Sequence, residues 1–490
     1  MVEALILAID QGTTGSTCLV VDPEGAVRGR AQAEITQHFP EPGLVEHDPQ
    51  EIVDVTLAVA REALGEAGIA GEDLEAIGLT NQRETVIAWD RDTGRPLHRA
   101  LVWQDRRGAE RCRELAAAGF DELVRERTGL LLDPYFSATK IEWLLGAIED
   151  RDRAVFGTID SWLVEALCGR HVTDPSNASR TMLFDITRME WDSRLCEEFG
   201  VDPDALPEVL PSAGVFGTTT EFGGEVPVTG IAGDQQAALF GQACFDPGSV
   251  KNTYGTGSFL LMNAGREVPD SGAGTISTVA WDLGEGPVYA AEASIFVTGA
   301  AVQWLRDGLG VIGEAAETEA LAASLESNDG VFFVPALTGL GSPWWDSGAR
   351  GTIVGLTRGT GRAHLARATL EAIAYQSFDA VRAQEEATGQ RLEALRVDGG
   401  AVANEWLMQF QADLLGVPVL APASVETTGL GAAALAGVGA GLETPDRLAA
   451  RWEAARTWEP EMSRDQAETL LGGWHRAVAA CRGLADADLP

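Results

Sequence analysis

The amino-acid sequence predicts an α/β protein made of two domains of similar topology that face each other across a cleft. Three observations carry this prediction. A β-meander followed by alternating strands and helices appears twice along the chain. Each copy contains a glycine–threonine turn beside an apolar run: Asp10-Gln11-Gly12-Thr13-Thr14 after Ala4 to Ile9, and Tyr254-Gly255-Thr256-Gly257 before Phe259 to Met262. Between the copies, Asp246-Pro247-Gly248 is a strong turn signal. It divides the 490 residues into domains 1–246 and 247–490.

In the first copy, Leu5 to Ile9, Cys18 to Val21 and the more polar Val27 to Ala33 read as the meander. Pro49 to Leu64 has Ile52, Val53, Val55, Ala58 and Val59 near helical spacing. Ala76 to Leu79 is a short strand ending at Thr80-Asn81-Gln82-Arg83-Glu84, and Val86 to Trp89 is another. Residues 104–118 read as a polar, arginine-rich helix. In the second copy, Ser258 to Asn263, Thr275 to Trp281 and Val288 to Glu292 repeat the meander, and Ser294 to Leu305 reads as a helix. Val331 to Pro335 is a strand, and Leu370, Ile373, Ala374, Ser377, Phe378 and Val381 mark one face of a long helix. Leu395 to Val397 leads into Asp398-Gly399-Gly400, and a helix over Leu407 to Leu414 stops at Gly416.

Composition excludes several function classes. With 45% hydrophobic and 22% charged residues the chain is of ordinary globular type. No apolar run approaches the ~18 to 20 residues of a membrane helix; the longest, Gly429 to Leu442, is mostly Gly and Ala. The start has no basic region ahead of its apolar run, so a cytoplasmic protein is expected. The six cysteines contain no C-x-x-C pair, which argues against zinc, redox or disulfide frameworks. A net charge of −38 argues against nucleic acid and anionic membranes as partners. Of 36 basic residues only two are lysines, Lys140 and Lys251, and neither is followed by Ser or Thr, so no P-loop exists. The acidic, lysine-poor balance suggests tolerance of high salt, although base composition alone also depletes lysine.

Five motifs carry candidate chemistry. In the two Gly–Thr turns, glycine lets backbone N–H groups approach a phosphate, and the hydroxyls of Thr13, Thr14 and Thr256 add donors. Asp10, at a strand end beside the first turn, suits Mg²⁺, held directly or through water, or else a turn-stabilising role. In Gly230-Ile231-Ala232-Gly233-Asp234-Gln235-Gln236, Asp234 opens a helix, either as its cap or as a general base. Asp398-Gly399-Gly400 with Asn404 offers bare backbone to a base or ribose. Arg83 and Glu84, with Trp103 and Tyr135 nearby in sequence, pair a donor fork with an acceptor and apolar rings, the mix a neutral polyol needs.

Together these residues resemble the FGGY family of carbohydrate kinases over essentially the whole chain. The strings VEHDP (45–49), TNQRET (80–85), DPYFS (133–137), NASRTMLF (177–184), GIAGDQQAALFGQ (230–242), KNTYGTG (251–257) and RVDGGAVAN (396–404) carry the resemblance, and residues 351–371 fit the family's C-terminal signature. The resemblance is to the branch that phosphorylates glycerol. It implies an actin-like, ribonuclease H-like fold with a nucleotide cleft between the domains, ATP and Mg²⁺ as cofactors, and sn-glycerol 3-phosphate as product, the first step of glycerol catabolism. It implies that Arg83, Glu84, Tyr135, Asp234 and Gln235 bind glycerol hydroxyls, that Trp103 and Phe259 face its carbons, and that Asp234 is the general base. Thr13, Thr14, Gly15, Thr17 and Thr256 then surround the phosphates, Gly299, Gln303, Gly400 and Asn404 hold the nucleoside, and Asp10 holds the metal. A homodimer or homotetramer is implied by relatives. Two departures stand out. Thr17 occupies a position where the family usually has arginine. Val215 to Val228 also lacks the arginine or histidine through which some relatives are regulated. A kinase for another polyol or sugar, or an actin-like ATP-binding assembly protein, are the alternative readings.

Overall fold

The computed structural model describes residues 4–485, so the outer ends of the two predicted domains (1–3 and 486–490) lie outside the described residues. The first half builds a six-stranded sheet from β1 (Leu5–Gln11), β2 (Gly15–Val21), β3 (Val27–Glu34), β4 (Leu74–Asn81), β5 (Ala213–Thr219) and β6 (Val226–Gly233), in the order β5-β6-β4-β1-β2-β3. β1, β2 and β3 form the antiparallel meander, while β4 and β6 add in parallel to β1. α1 (Pro49–Ala67) packs on β2 and β3. It starts where the Asp48 carboxylate accepts the N–H groups of Gln50 and Glu51, and it ends at Gly68 with φ 71°.

The second half builds a seven-stranded sheet from β7 (Val250–Tyr254), β8 (Ser258–Gly265), β9 (Ile276–Asp282), β10 (Pro287–Ile295), β11 (Leu395–Gly399), β12 (Val419–Pro422) and β13 (Ala454–Trp458), in the order β9-β10-β8-β7-β11-β12-β13. Its centre repeats the first sheet: an antiparallel hairpin, β7–β8, with β11 and β12 added in parallel. Consequently Gln11 lies beside Asn81, and Tyr254 beside Gly399. Each Gly–Thr turn therefore sits next to the loop that leaves the neighbouring parallel strand, at the carboxyl ends where ligands bind in α/β sheets.

Two helices join the halves. α2 (Asp234–Gly241) leaves β6, and α6 (Thr427–Gly439) belongs to the second half but lies on β1, β4 and β6 of the first sheet and against α2. The Gly- and Ala-rich stretch noted in the sequence is this helix. A Cβ on Gly431 would meet Ala237 O at 1.8 Å, and one on Gly78 would meet Ala432 O at 2.2 Å, so only bare backbone permits the approach. Between these helices in sequence run α3 (Gly299–Gln303), α4 (Arg362–Thr388) and α5 (Glu405–Leu415).

Three expectations are corrected. The strands expected as a second meander (258–263, 275–281 and 288–292) are not neighbours in chain order: β8 pairs with β10, and β9 lies at the sheet edge beyond β10. The helix expected over 104–118 spans only Ala109–Ala117. Residues 103–108 form a turn instead, because the buried Asp105 carboxylate takes the N–H groups of Val45 and Arg107 and the Arg107 guanidinium. The helix expected over Ser294 to Leu305 is reduced to α3 followed by a π turn at Trp304–Gly308, since Ser294 and Ile295 still pair with Phe259 and Ser258 in the sheet.

Candidate active site

The two Gly–Thr turns are built alike. Gly12 N–H donates to Gly15 O at 2.8 Å in the first, and Gly255 N–H to Gly257 O at 2.8 Å in the second. A side chain at Gly15 would strike Ala33 O at 2.2 Å, and one at Gly257 would strike Ile295 O at 2.3 Å. Thr13 is tied to the neighbouring wall: Trp103 Nε1–H donates to its Oγ1 at 2.8 Å, and Gln37 donates to its carbonyl. Thr14 is exposed. In the second turn Thr256 O accepts the N–H groups of Thr298 and Ala300, which locks the turn onto the start of α3 and brings Gly299 against Gly255.

Asp10 is the penultimate residue of β1, and among the described residues no side chain donates to it. Desolvation, then the nearby carboxylates of Asp234 and Glu426, push its pKa up to about 7. Thr17 lies directly across the hairpin from Asp10.

Asp234 starts α2 immediately after β6, with its side chain 30% exposed and its Oδ1 3.2 Å from Arg83 Nε. Arg83 is buried at the seam. Its Nη1 and Nη2 donate to Glu292 on β10 at 2.5 and 3.1 Å, and Nη1 also reaches Gln236 Oε1 at 3.3 Å. Glu292 also accepts from Arg180 Nη2 at 3.1 Å, and Arg180 Nε donates to Glu84 Oε1 at 2.6 Å. Glu84 has φ 61°, a left-handed conformation that costs energy in a residue with a Cβ and is characteristic of functional loops. Burial opposes the charge of Glu292, but Arg180 and Arg83 outweigh it and hold its pKa near 2; at Glu84 burial wins and the pKa rises.

Rings line the same place. Trp103 and Tyr135 meet edge to face at 5.5 Å, and Phe259 lies under the Arg83 guanidinium at 5.8 Å. Gln235 Oε1 accepts from Lys251, whose pKa burial lowers to about 8. The structure thus brings together Arg83, Glu84, Asp234, Gln235, Trp103, Tyr135 and Phe259. Gln303 and Gly400 are exposed farther along the second half, and nothing lies within 4 Å of a Cβ placed on Gly400. Asn404 also holds local structure together. Its Oδ1 caps α5 by accepting from Leu407 N–H at 2.9 Å, and its Nδ2 reaches Thr318 at 3.3 Å.

Sequence reasoning missed Glu292, Arg180 and Gln236 as site members. The signal for Glu292 was present: it is the only charge in an otherwise uncharged strand, Val288 to Ile295. A cavity of about 300 Å³ lies elsewhere, between the 22–25 turn, the end of α2 and α6, and none of the candidate residues line it.

Two family models match the chain, the N-terminal domain of the FGGY family of carbohydrate kinases over residues 5–241 and its C-terminal domain over 250–440. The chain belongs to the FGGY family of carbohydrate kinases. Among curated FGGY relatives, a glycerol kinase of Citrifermentans bemidjiense is 54% identical over 98% of this chain and 99% of that protein. Glycerol kinase 2 of Thermotoga maritima is 52% identical over the same shares. The solved structure of Plasmodium falciparum glycerol kinase with ADP is 35% identical, covers 98% of both chains and superposes with a TM-score of 0.92. The doubled α/β architecture is the actin-like fold of this kinase family.

Proposed function

We propose that this chain transfers the γ-phosphoryl group of ATP to glycerol, giving sn-glycerol 3-phosphate and ADP. The observation that carries the reading is the convergence of Arg83, Asp234, Gln235, Trp103 and Tyr135 at the seam between the halves, in a chain 54% identical along its length to a glycerol kinase. Donors, acceptors and ring faces alternate there, which suits a small molecule with a hydroxyl on every carbon.

Asp234 is the general base. It accepts the proton of a terminal hydroxyl while that oxygen bonds to the γ-phosphorus and the bond to the β-phosphate oxygen breaks. The transition state is loose, so positioning matters most. Arg83 Nε holds the Asp234 carboxylate at 3.2 Å, and Glu292 holds Arg83 from the other half, so base and substrate clamp share one rigid frame. The two Gly–Thr turns cradle the phosphates from opposite halves, and approach of the halves excludes water that would otherwise hydrolyse ATP.

Asp10 fits a Mg²⁺ ion. It is an oxygen donor beside the phosphate turn, without a protein donor among the described residues and repelled by two other carboxylates. A bound Mg²⁺ would neutralise phosphate charge; Asp10 would hold it directly or through water. We place the reaction in the cytoplasm, where ATP is available; among the described residues no helix is long and apolar enough to cross a membrane.

Replacing Asp234 with Asn is expected to leave a folded protein that binds glycerol and loses at least ~100-fold in kcat, the low end for loss of a general base. Near-wild-type turnover removes Asp234 from the role.

A further inference from the structure

Lys140 and Lys251 are the only lysines in a chain that otherwise relies on arginine for its positive charge. Where lysine is this rare, its presence at two fully buried positions points to places that a guanidinium cannot fill. Lys140 Nζ donates to three successive carbonyls, Pro134 at 2.8 Å, Tyr135 at 2.6 Å and Phe136 at 3.0 Å. Three oxygens converging on one point match the three donors of an ammonium group, whereas a guanidinium spreads its donors in a plane. The loop gathered in this way carries Tyr135 to its contact with Trp103.

Lys251 Nζ donates to Gln235 Oε1 and, at 2.9 Å, to Thr253 Oγ1. An ammonium group cannot accept a hydrogen bond, so it dictates which end of the Gln235 amide faces it. Nε2 is left without a protein partner among the described residues. Gln235 is otherwise fixed by its position in the first turn of α2, next to Asp234.

We propose that both lysines are positioning residues for polyol recognition. Lys140 sets the loop that carries Tyr135, and Lys251 fixes the Gln235 amide as a donor to a substrate hydroxyl oxygen. This rests on the reading of the seam as the glycerol site. Each hydroxyl has one proton to give and lone pairs to fill; the carboxylates of Glu84 and Asp234 take protons, so a fixed amide donor supplies the complement.

Steady-state kinetics of Gln235→Ala, Lys251→Met and the double variant test the pair. Each single variant is expected to raise the KM for glycerol by about 5- to 20-fold, the range for loss of one oriented hydrogen bond, and to leave the KM for ATP nearly unchanged. The double variant is expected to be no worse than Gln235→Ala, because Lys251 acts through that amide. If Gln235→Ala raises the glycerol KM and Lys251→Met does not, or if the two penalties multiply, the role of Lys251 is overturned. If Gln235→Ala itself leaves the glycerol KM unchanged, the site reading fails and the proposal with it. The KM for ATP separates this role from a folding defect: a Lys251→Met protein that keeps the wild-type KM for ATP and melting temperature while its glycerol KM rises supports the proposal, and a parallel rise in both KM values contradicts it. Lys140→Arg keeps the charge and is expected to raise the glycerol KM; a wild-type KM overturns the role of Lys140.

Discussion

Thr17 and Glu292 show how far individual residues set this site. Thr17 faces Asp10 across the first hairpin, where the resemblance led to the expectation of arginine, so this strand brings no cation to the proposed phosphate turn. Thr17→Arg is expected to lower the KM for ATP by roughly 5- to 10-fold, the scale of one charge-assisted hydrogen bond, without moving the KM for glycerol. Steady-state kinetics with each substrate varied in turn check this. Glu292 binds two buried arginines from the other half of the molecule. Glu292→Gln is expected to destabilise the protein by about 3–5 kcal/mol at neutral pH, the cost of breaking a buried ion pair. The folded pKa of Glu292, about 2, lies below its ordinary 4.5. Its stabilisation is therefore present above about pH 4.5 and is lost as pH falls toward 2, so the deficit of the variant shrinks on acidification. Denaturant midpoints of both proteins from pH 7 to pH 3 measure it. Arg83 and Asp234 were legible because they sit in long, distinctive strings at strand ends. The pairing of Arg83 with Glu292 was not, because 209 positions separate them and only the fold brings them together.

At the scale of elements, the joining helix α6 explains a stretch that composition alone leaves featureless. Its glycines and alanines permit backbone contact with α2 and the first sheet, which places Asp234, at the start of α2, on the seam. Gly431→Val is expected to destabilise by at least ~1–3 kcal/mol, the range for overpacking, because the new side chain has no free space against Ala237 O. Gly400→Ala, with open space around it, is expected to leave the melting temperature unchanged and to raise the KM for ATP; thermal denaturation of both variants, with ATP kinetics of the second, decides. The strands of the first meander were legible because apolar runs end at clear turns, whereas in the second half the strands were legible but their order was not, since β10 inserts between β8 and β9. The run from Ser294 to Leu305 was misleading: its first residues complete a sheet strand through pairing with β8, a nonlocal contact that local periodicity does not report.

At the scale of the molecule, the doubling of a strand pair joined by a Gly–Thr turn made the architecture readable, whereas the cross-seam network and the second-half helix on the first sheet follow only from the fold. The net charge of −38 adds a global term. Raising KCl shortens the screening length from about 10 Å at 0.1 M to about 3 Å at 1 M, so the melting temperature is expected to rise across that range with activity retained; loss of activity at moderate KCl contradicts salt tolerance. The proposed reaction needs the two halves to close on ATP and glycerol together. A coupled assay with ATP and Mg²⁺, comparing glycerol with xylulose, ribulose and gluconate, tests it most directly. Glycerol-dependent ADP release matched one for one by glycerol 3-phosphate is expected, with little turnover on the other three. ADP release independent of glycerol, or faster turnover on one of the sugars, would contradict it.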